Sequence, residues 1–146
     1  WGSKRTGPDL ARVGGKYSDA WHVAHLANPR AIVPQSIMPG YAFLAQAEVN
    51  VNLIASDMVA NRRGGVPYSD EQIANAAQDM RAQVNPDSDH VRALQQRYPN
   101  ATARNFGGGP AAAQGVVTEM DALVAYLQVL GTMVDFKTYD ARANMR

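Results

Sequence analysis

Helix caps and helix breakers cut this 146-residue chain into pieces, and the pieces repeat with helical period rather than the period of two that a strand needs. Ser18 and Asp19 stand in capping position ahead of "DAWHVAHLAN", where Trp21, His22, His25 and Leu26 keep helical spacing until Pro29 stops them. Residues 42–62 predict a second helix on Leu44, Val51, Ile54 and Met58, with an alternating "VNVN" step inside it. "RGGVPYS" is a turn, and Ser69 with Gln72 makes a capping box for "DEQIANAAQDMRAQV". "NPDSD" breaks that helix, and "DHVRALQQRY" resumes as another. Residues 99–117 read as a long Gly- and Pro-containing loop. Thr118 caps "EMDALVAYLQVLG", in which Met120, Leu123, Val124, Leu127 and Leu130 recur at helical spacing and Gly131 is the C-terminal stop. The polar tail from Asp135 onward is expected to fray. The fold class is therefore all-α, with about five helices and long loops.

Charge and cysteine content narrow the function. A net charge of +1 gives no electrostatic case for nucleic acid or for an acidic membrane surface. No run approaches the ~18 apolar residues of a transmembrane helix, and no signal peptide is visible. The chain begins at Trp1 and reads as a fragment or processed product, with any membrane anchor or export signal expected in a missing N-terminal part. There is no cysteine, which excludes disulfides, thiolate metal sites and a Cys-x-x-Cys-His haem attachment site within these residues.

Catalytic constellations are weak. His22 and His25 lie three apart on one helix, but no third metal ligand stands near them, and they read as partly exposed helix histidines. Asp9, Asp19 and Glu48 form no evident acid/base pair, and Ser3, Ser18 and Ser36 lack a nucleophile motif. No Lys-Ser/Thr follows the glycines at 107–109, so they are not a phosphate loop. No catalytic residue is assigned.

The stretch "NPRAIVPQSIMP", residues 28–39, carries more chemistry. Pro34 precedes Met38 by four residues and Pro39 follows it, so the side chain stands on a stiff, non-helical loop. Met is ordinarily a flexible filler of apolar gaps. Its thioether is also a soft, neutral ligand for haem iron or copper, and such a ligand must present sulfur at a fixed distance. On composition alone Met38 reads as core filler; the ligand reading gains only when neighbouring segments are taken together.

Taken together, "TGPDL" at 6–10, "GGKY" at 14–17, Trp21, "HLANPRAIVPQSIMP" at 25–39 and "EMDALVAYLQVL" at 119–130 resemble the class I c-type cytochromes in content and order. With "GVPYS" at 65–69, nearly the whole chain is similar to one branch, the mono-haem cytochrome c subunit (subunit II) of cbb3-type cytochrome c oxidases. Residues 75–115 match it only loosely. The resemblance implies one cytochrome c-like domain over 1–146, lacking its N-terminal haem-attachment part and carrying an insertion at about 42–117. It implies Met38 as sixth ligand of the haem iron and Pro8 on the proximal side, its carbonyl accepting from the axial histidine. It implies Trp21 donating toward a propionate, and Leu10, Leu26 and Ile37 lining the pocket. The buried face of the terminal helix would be Leu123, Tyr126, Leu127 and Leu130.

The family's Cys-x-x-Cys-His motif is expected upstream of Trp1, so haem c belongs to the full-length protein and cannot attach covalently within this fragment. His22 and His25, on the helix before the Met loop, are not expected to replace the proximal histidine. The implied role is electron transfer toward a catalytic haem–copper subunit, where oxygen reduction occurs, alongside a di-haem cytochrome subunit, on the periplasmic side of a bacterial inner membrane. The alternatives are a non-redox docking scaffold of the same complex or a diffusible class I cytochrome c.

Overall fold

The computed structural model describes residues 4–133. Seven α-helices occur among them: α1 Asp19–Ala27, α2 Pro29–Ile32, α3 Ile54–Arg63, α4 Asp70–Ala74, α5 Ala76–Val84, α6 Val91–Arg97 and α7 Glu119–Val129. Short 3-10 turns lie at Leu10–Arg12, Ala42–Ala45 and Pro110–Gln114. The only strand-like pairing among the described residues is a single antiparallel bridge between Glu48 and Thr118. The all-α fold class holds. The polar tail from Asp135 lies outside the described residues.

Local chemistry sets the ends of these helices. The Ser18 hydroxyl accepts from the Trp21 amide and starts α1. Pro29 ends α1 and then opens α2 as its first residue, where a missing N–H costs nothing. Ser69 with Gln72 and Thr118 with Asp121 form reciprocal capping boxes at α4 and α7.

Two predicted helices came out differently. The helix expected over 42–62 exists only from Ile54 to Arg63. Its front half is a 3-10 turn followed by an extended crossing, because the backbone at Ala47 and Val49 bonds across the fold: Val49 N–H donates to Val117 O at 2.9 Å, and Glu119 N–H to Ala47 O at 2.8 Å. Asn50 also turns its side-chain oxygen onto the Asn52 amide at 3.2 Å, the local competition that makes Asn a poor helix residue. The helix expected from Asp70 to Val84 breaks at Asn75, whose side-chain amide donates to Glu71 O at 2.9 Å. The 99–117 loop contains the 3-10 turn that Pro110 opens.

Two apolar clusters organise the interior. The first joins Leu26 of α1, Phe106, and Met120 and Val124 of α7, with Met38, Leu44, Leu123 and Leu127 packed against it. The second lies in the middle of the chain: Val51, Val84, Ala112 and Val117. On α7, Met120 and Val124 are fully buried while Tyr126 is 60% exposed, which corrects the expected inward face. Each residue turns the helix by about 100°, so Tyr126 points roughly 200° away from Val124. A buried ion pair, Arg97 with Asp79, joins α6 to α5, and Glu71 approaches the same guanidinium at 3.6 Å.

Candidate functional site

The loop carrying Met38 is held by more than its prolines. The Ser36 hydroxyl accepts from the Met38 amide at 3.2 Å, and Arg30 Nε donates to Ser36 O at 3.1 Å. Tyr41 N–H returns to Leu26 O at 2.7 Å, so the loop closes back onto the end of α1. Gly40 makes that return possible: a Cβ there would sit 2.9 Å from Ala27 O. Met38 is half-buried on this support and packs against the first apolar cluster.

Met38 forms part of the wall of a cavity of about 780 Å³. The N-terminal segment contributes Pro8, Leu10, Val13 and Tyr17; α1 contributes Trp21, His22, His25 and Leu26. Val33, Met38, Tyr41, Phe43 and Leu44 come from the loop region, and Glu119, Leu123 and Leu127 from α7. Of the residues singled out in the sequence, Pro8, Leu10, Trp21, Leu26 and Met38 are therefore brought together. Ile37 is not: it stands 79% exposed and outside the wall, because its neighbour Met38 takes the inward position and an extended loop turns alternate side chains to opposite sides.

The histidines also depart from expectation. His22 is 4% exposed, not partly exposed, because the cavity-facing side of α1 includes it. His22 Nε2 and His25 Nδ1 are both enclosed without a hydrogen-bond partner. Burial pushes the His22 imidazole below its ordinary range, opposed by the negative charge of Asp19 and reinforced by His25. Tyr17, Trp21 and His25 form one stacked column, with ring centroids 4.0 Å and 4.6 Å apart. The sequence signal that could have marked the pair is their i, i+3 spacing beside Trp21 on a capped helix.

Gln128 ties the N-terminal part of the wall to α7. Its Oε1 accepts from Gly15 N–H at 3.0 Å, and its Nε2 donates to Tyr17 O at 2.8 Å and to Asp19 Oδ1 at 2.7 Å. Arg104 holds the same Asp19 carboxylate from the 99–117 loop. Gln128→Ala is expected to lower stability by about 2 kcal/mol, since three partners lose their bonds at a partly buried junction. Urea unfolding of the full-length protein measures it; a loss under about 0.5 kcal/mol would mean that water replaces the side chain without cost.

A second cavity, of about 800 Å³, lies among α3, α5, α6 and the residues after α7. The Arg97 and Asp79 side chains in its wall are already paired with each other, which leaves little free charge for a ligand. Among the described residues no three of His, Cys, Asp and Glu converge as a metal cage. The first cavity instead offers the thioether of Met38 in a largely apolar wall edged by Tyr17, Trp21 and Tyr41. That wall fits a large flat apolar cofactor with polar edges, and the volume lies in the usual range of cofactor sites.

A helical chain that folds a loop methionine into such a cavity has the make-up of a c-type cytochrome domain. The family model described as "Cytochrome C oxidase, mono-heme subunit/FixO" matches residues 1–134, and the chain belongs to that family. Comparison with curated proteins gives no match. No helix among the described residues is long and apolar enough to cross a membrane.

Proposed function

We propose that this chain is the electron-transfer subunit of a bacterial cbb3-type terminal oxidase, passing electrons through a c-type haem toward the catalytic haem–copper subunit. The observation that carries the reading is the position of Met38, in one apolar wall with Pro8, Leu10, Trp21 and Leu26. When bound, the haem supplies one-electron chemistry at its iron. Met38 would offer its thioether to the iron, Pro8 would support the histidine ligand through its carbonyl, and Trp21 would donate toward a propionate. Leu26, Leu44, Leu123 and Leu127 exclude water, and burial with thioether ligation raises the potential. The attachment cysteines and proximal histidine come from the full-length protein, since these 146 residues hold no cysteine.

The 146 residues form one cytochrome c-like domain, and the helical insertion at about 42–117 docks on the partner subunits. Those partners are the catalytic subunit and a di-haem cytochrome subunit, at the periplasmic side of the inner membrane. The rim of the site favours a permanently attached subunit over a diffusible carrier. From Ala31 to Ala47 the chain has no charged residue, while Val33, Ile37 and Phe43 are exposed. Diffusible carriers rely on charge to steer encounter, and an uncharged apolar rim suits a surface that stays covered.

Met38→Ala in the full-length protein is expected to keep the Soret band, abolish the far-red sulfur-to-iron band and lower the midpoint potential. Axial ligands set haem potentials over roughly 0.8 V, so the shift is large against measurement error. An intact far-red band in that variant would remove Met38 from the iron. A colourless full-length wild-type protein would leave the docking scaffold as the better reading.

A further inference from the structure

Two prolines do not by themselves fix where the Met38 sulfur goes. Pro34 restricts itself and Val33, and Pro39 restricts itself and Met38. Gln35, Ser36 and Ile37 lie between them under no such restraint. Among the described residues, no backbone–backbone hydrogen bond involves Ile37, Met38, Pro39 or Gly40. The stretch that presents the thioether has neither a helix nor a strand ladder to hold it, so its course is set by side chains.

Two side chains supply the hold. The Ser36 hydroxyl accepts from Met38 N–H at 3.2 Å, the local turn that Ser makes with an amide two residues on. Arg30 Nε, on the second residue of α2, donates to Ser36 O at 3.1 Å. Ser36 is thus bonded at both oxygens, one toward Met38 and one toward α2. Among the described residues Arg30 makes no ion pair, so no carboxylate draws its guanidinium away from this carbonyl. A hydrogen bond from a charged donor is also stronger than a neutral one. The two bonds run in series from α2 to the Met38 amide, across the three residues that the prolines leave free. On the far side the next anchor is Tyr41 N–H on Leu26 O, three residues beyond Met38.

We propose that Ser36 and Arg30 are positioning residues that keep the Met38 thioether on the haem iron and so keep the iron closed to outside ligands. The assignment rests on the reading that Met38 is an iron ligand. Neither residue touches the iron; each acts through the backbone of the loop. A thioether is neutral, with no charge to hold it to the metal, so the loop's own conformational preference decides how often the position is vacated. An outside ligand binds only the vacated form, and its apparent affinity rises in proportion to the fraction vacated.

The experiment titrates imidazole into the full-length, haem-loaded protein and follows loss of the far-red sulfur-to-iron band. Ser36→Ala and Arg30→Met each remove one bond of the series, whereas Ser36→Thr keeps the hydroxyl. Ser36→Ala is expected to bind imidazole about fivefold more tightly than wild type, the equivalent of one net hydrogen bond, and Arg30→Met about tenfold, because its bond is charge-assisted. Ser36→Thr is expected to stay near wild type. All three keep the Soret band, and in Ser36→Ala and Arg30→Met the far-red band is expected to fade at a lower temperature than in wild type. Wild-type imidazole affinity in both Ser36→Ala and Arg30→Met overturns the assignment, and a lowered urea midpoint with that affinity unmoved shows that the two bonds serve the fold alone. Ser36→Thr binding imidazole as tightly as Ser36→Ala overturns it as well, since the hydroxyl is then not what holds the loop. A haem-loaded wild type without the far-red band sinks Met38 ligation itself and the clamp with it, a result distinct from a band that is present and indifferent to both variants.

Discussion

Replacing Asp121 by alanine is expected to lower folding stability by about 4 kcal/mol. Asp121 is 3% exposed at the start of α7, and three donors converge on its carboxylate. Gly107 N–H reaches Oδ1 at 2.6 Å; Thr118 N–H and Thr118 Oγ1 reach Oδ2 at 3.0 and 2.5 Å. Alanine leaves the buried Thr118 N–H and the half-buried Gly107 N–H unpaired, at about 1–3 kcal/mol each, and removes half of a capping box. Asp121→Asn keeps one acceptor oxygen and should lose roughly half as much. Glu119→Ala removes the same charge from the same helix turn at an exposed position, and should cost only about 0.5 kcal/mol through the helix dipole. Equal losses for Asp121→Ala and Glu119→Ala in urea unfolding would show that charge, not hydrogen bonding, matters there. The consequence reaches the cavity, because α7 sets the height of Leu123 and Leu127 in its wall.

Thr118 was readable as a cap because the signal is local: a hydroxyl bonding an amide three residues on. The same holds for Ser18, for Ser69 with Gln72, and for Pro29 and Gly131 as stops. The bond from Asp121 to Gly107 was not readable, since nothing in "NFGGGP" announces which distant side chain it will meet. The straight helix expected over 42–62 failed for a like reason: Val49 and Ala47 found Val117 and Glu119 as backbone partners across the fold, and propensity yields to such pairing. At the site, the residues whose identity is distinctive were legible, with Met38 between two prolines as the sharpest. What required coordinates was orientation. Ile37 and Met38 are neighbours, yet one faces solvent and the other the cavity, and His22 is buried only because elements from Pro8 to Leu127 enclose it.

Orientation also decides the crossing of the N-terminal segment over the end of α7, where the second large effect is expected. Gly131→Ala should destabilise the protein by about 4 kcal/mol or more. Gly131 stands two residues beyond the end of α7 with φ +78°, a left-handed conformation that costs a side-chain-bearing residue about 1–2 kcal/mol. The larger part is contact: a Cβ there would run into the carbonyl of Ala11, a backbone group that cannot turn aside. The strands of chain are pinned at this point by Gly14 N–H donating to Leu130 O at 3.0 Å, and Gly14 itself has no room, since its Cβ would sit 2.5 Å from Leu130 O. Relief therefore means separating the two segments and losing that bond with the packing around it. Gly15→Ala isolates the conformational share, because Gly15 has φ +70° with nothing within 4 Å of a Cβ. Gly15→Ala should then cost about 1 kcal/mol, and the difference between the two variants in thermal unfolding measures the close approach. Equal losses would mean that the segments part without cost. Since Pro8, Leu10, Val13 and Tyr17 line the cavity from the segment held at this crossing, Gly131→Ala should also weaken haem retention on mild heating, while Gly15→Ala leaves it near wild type.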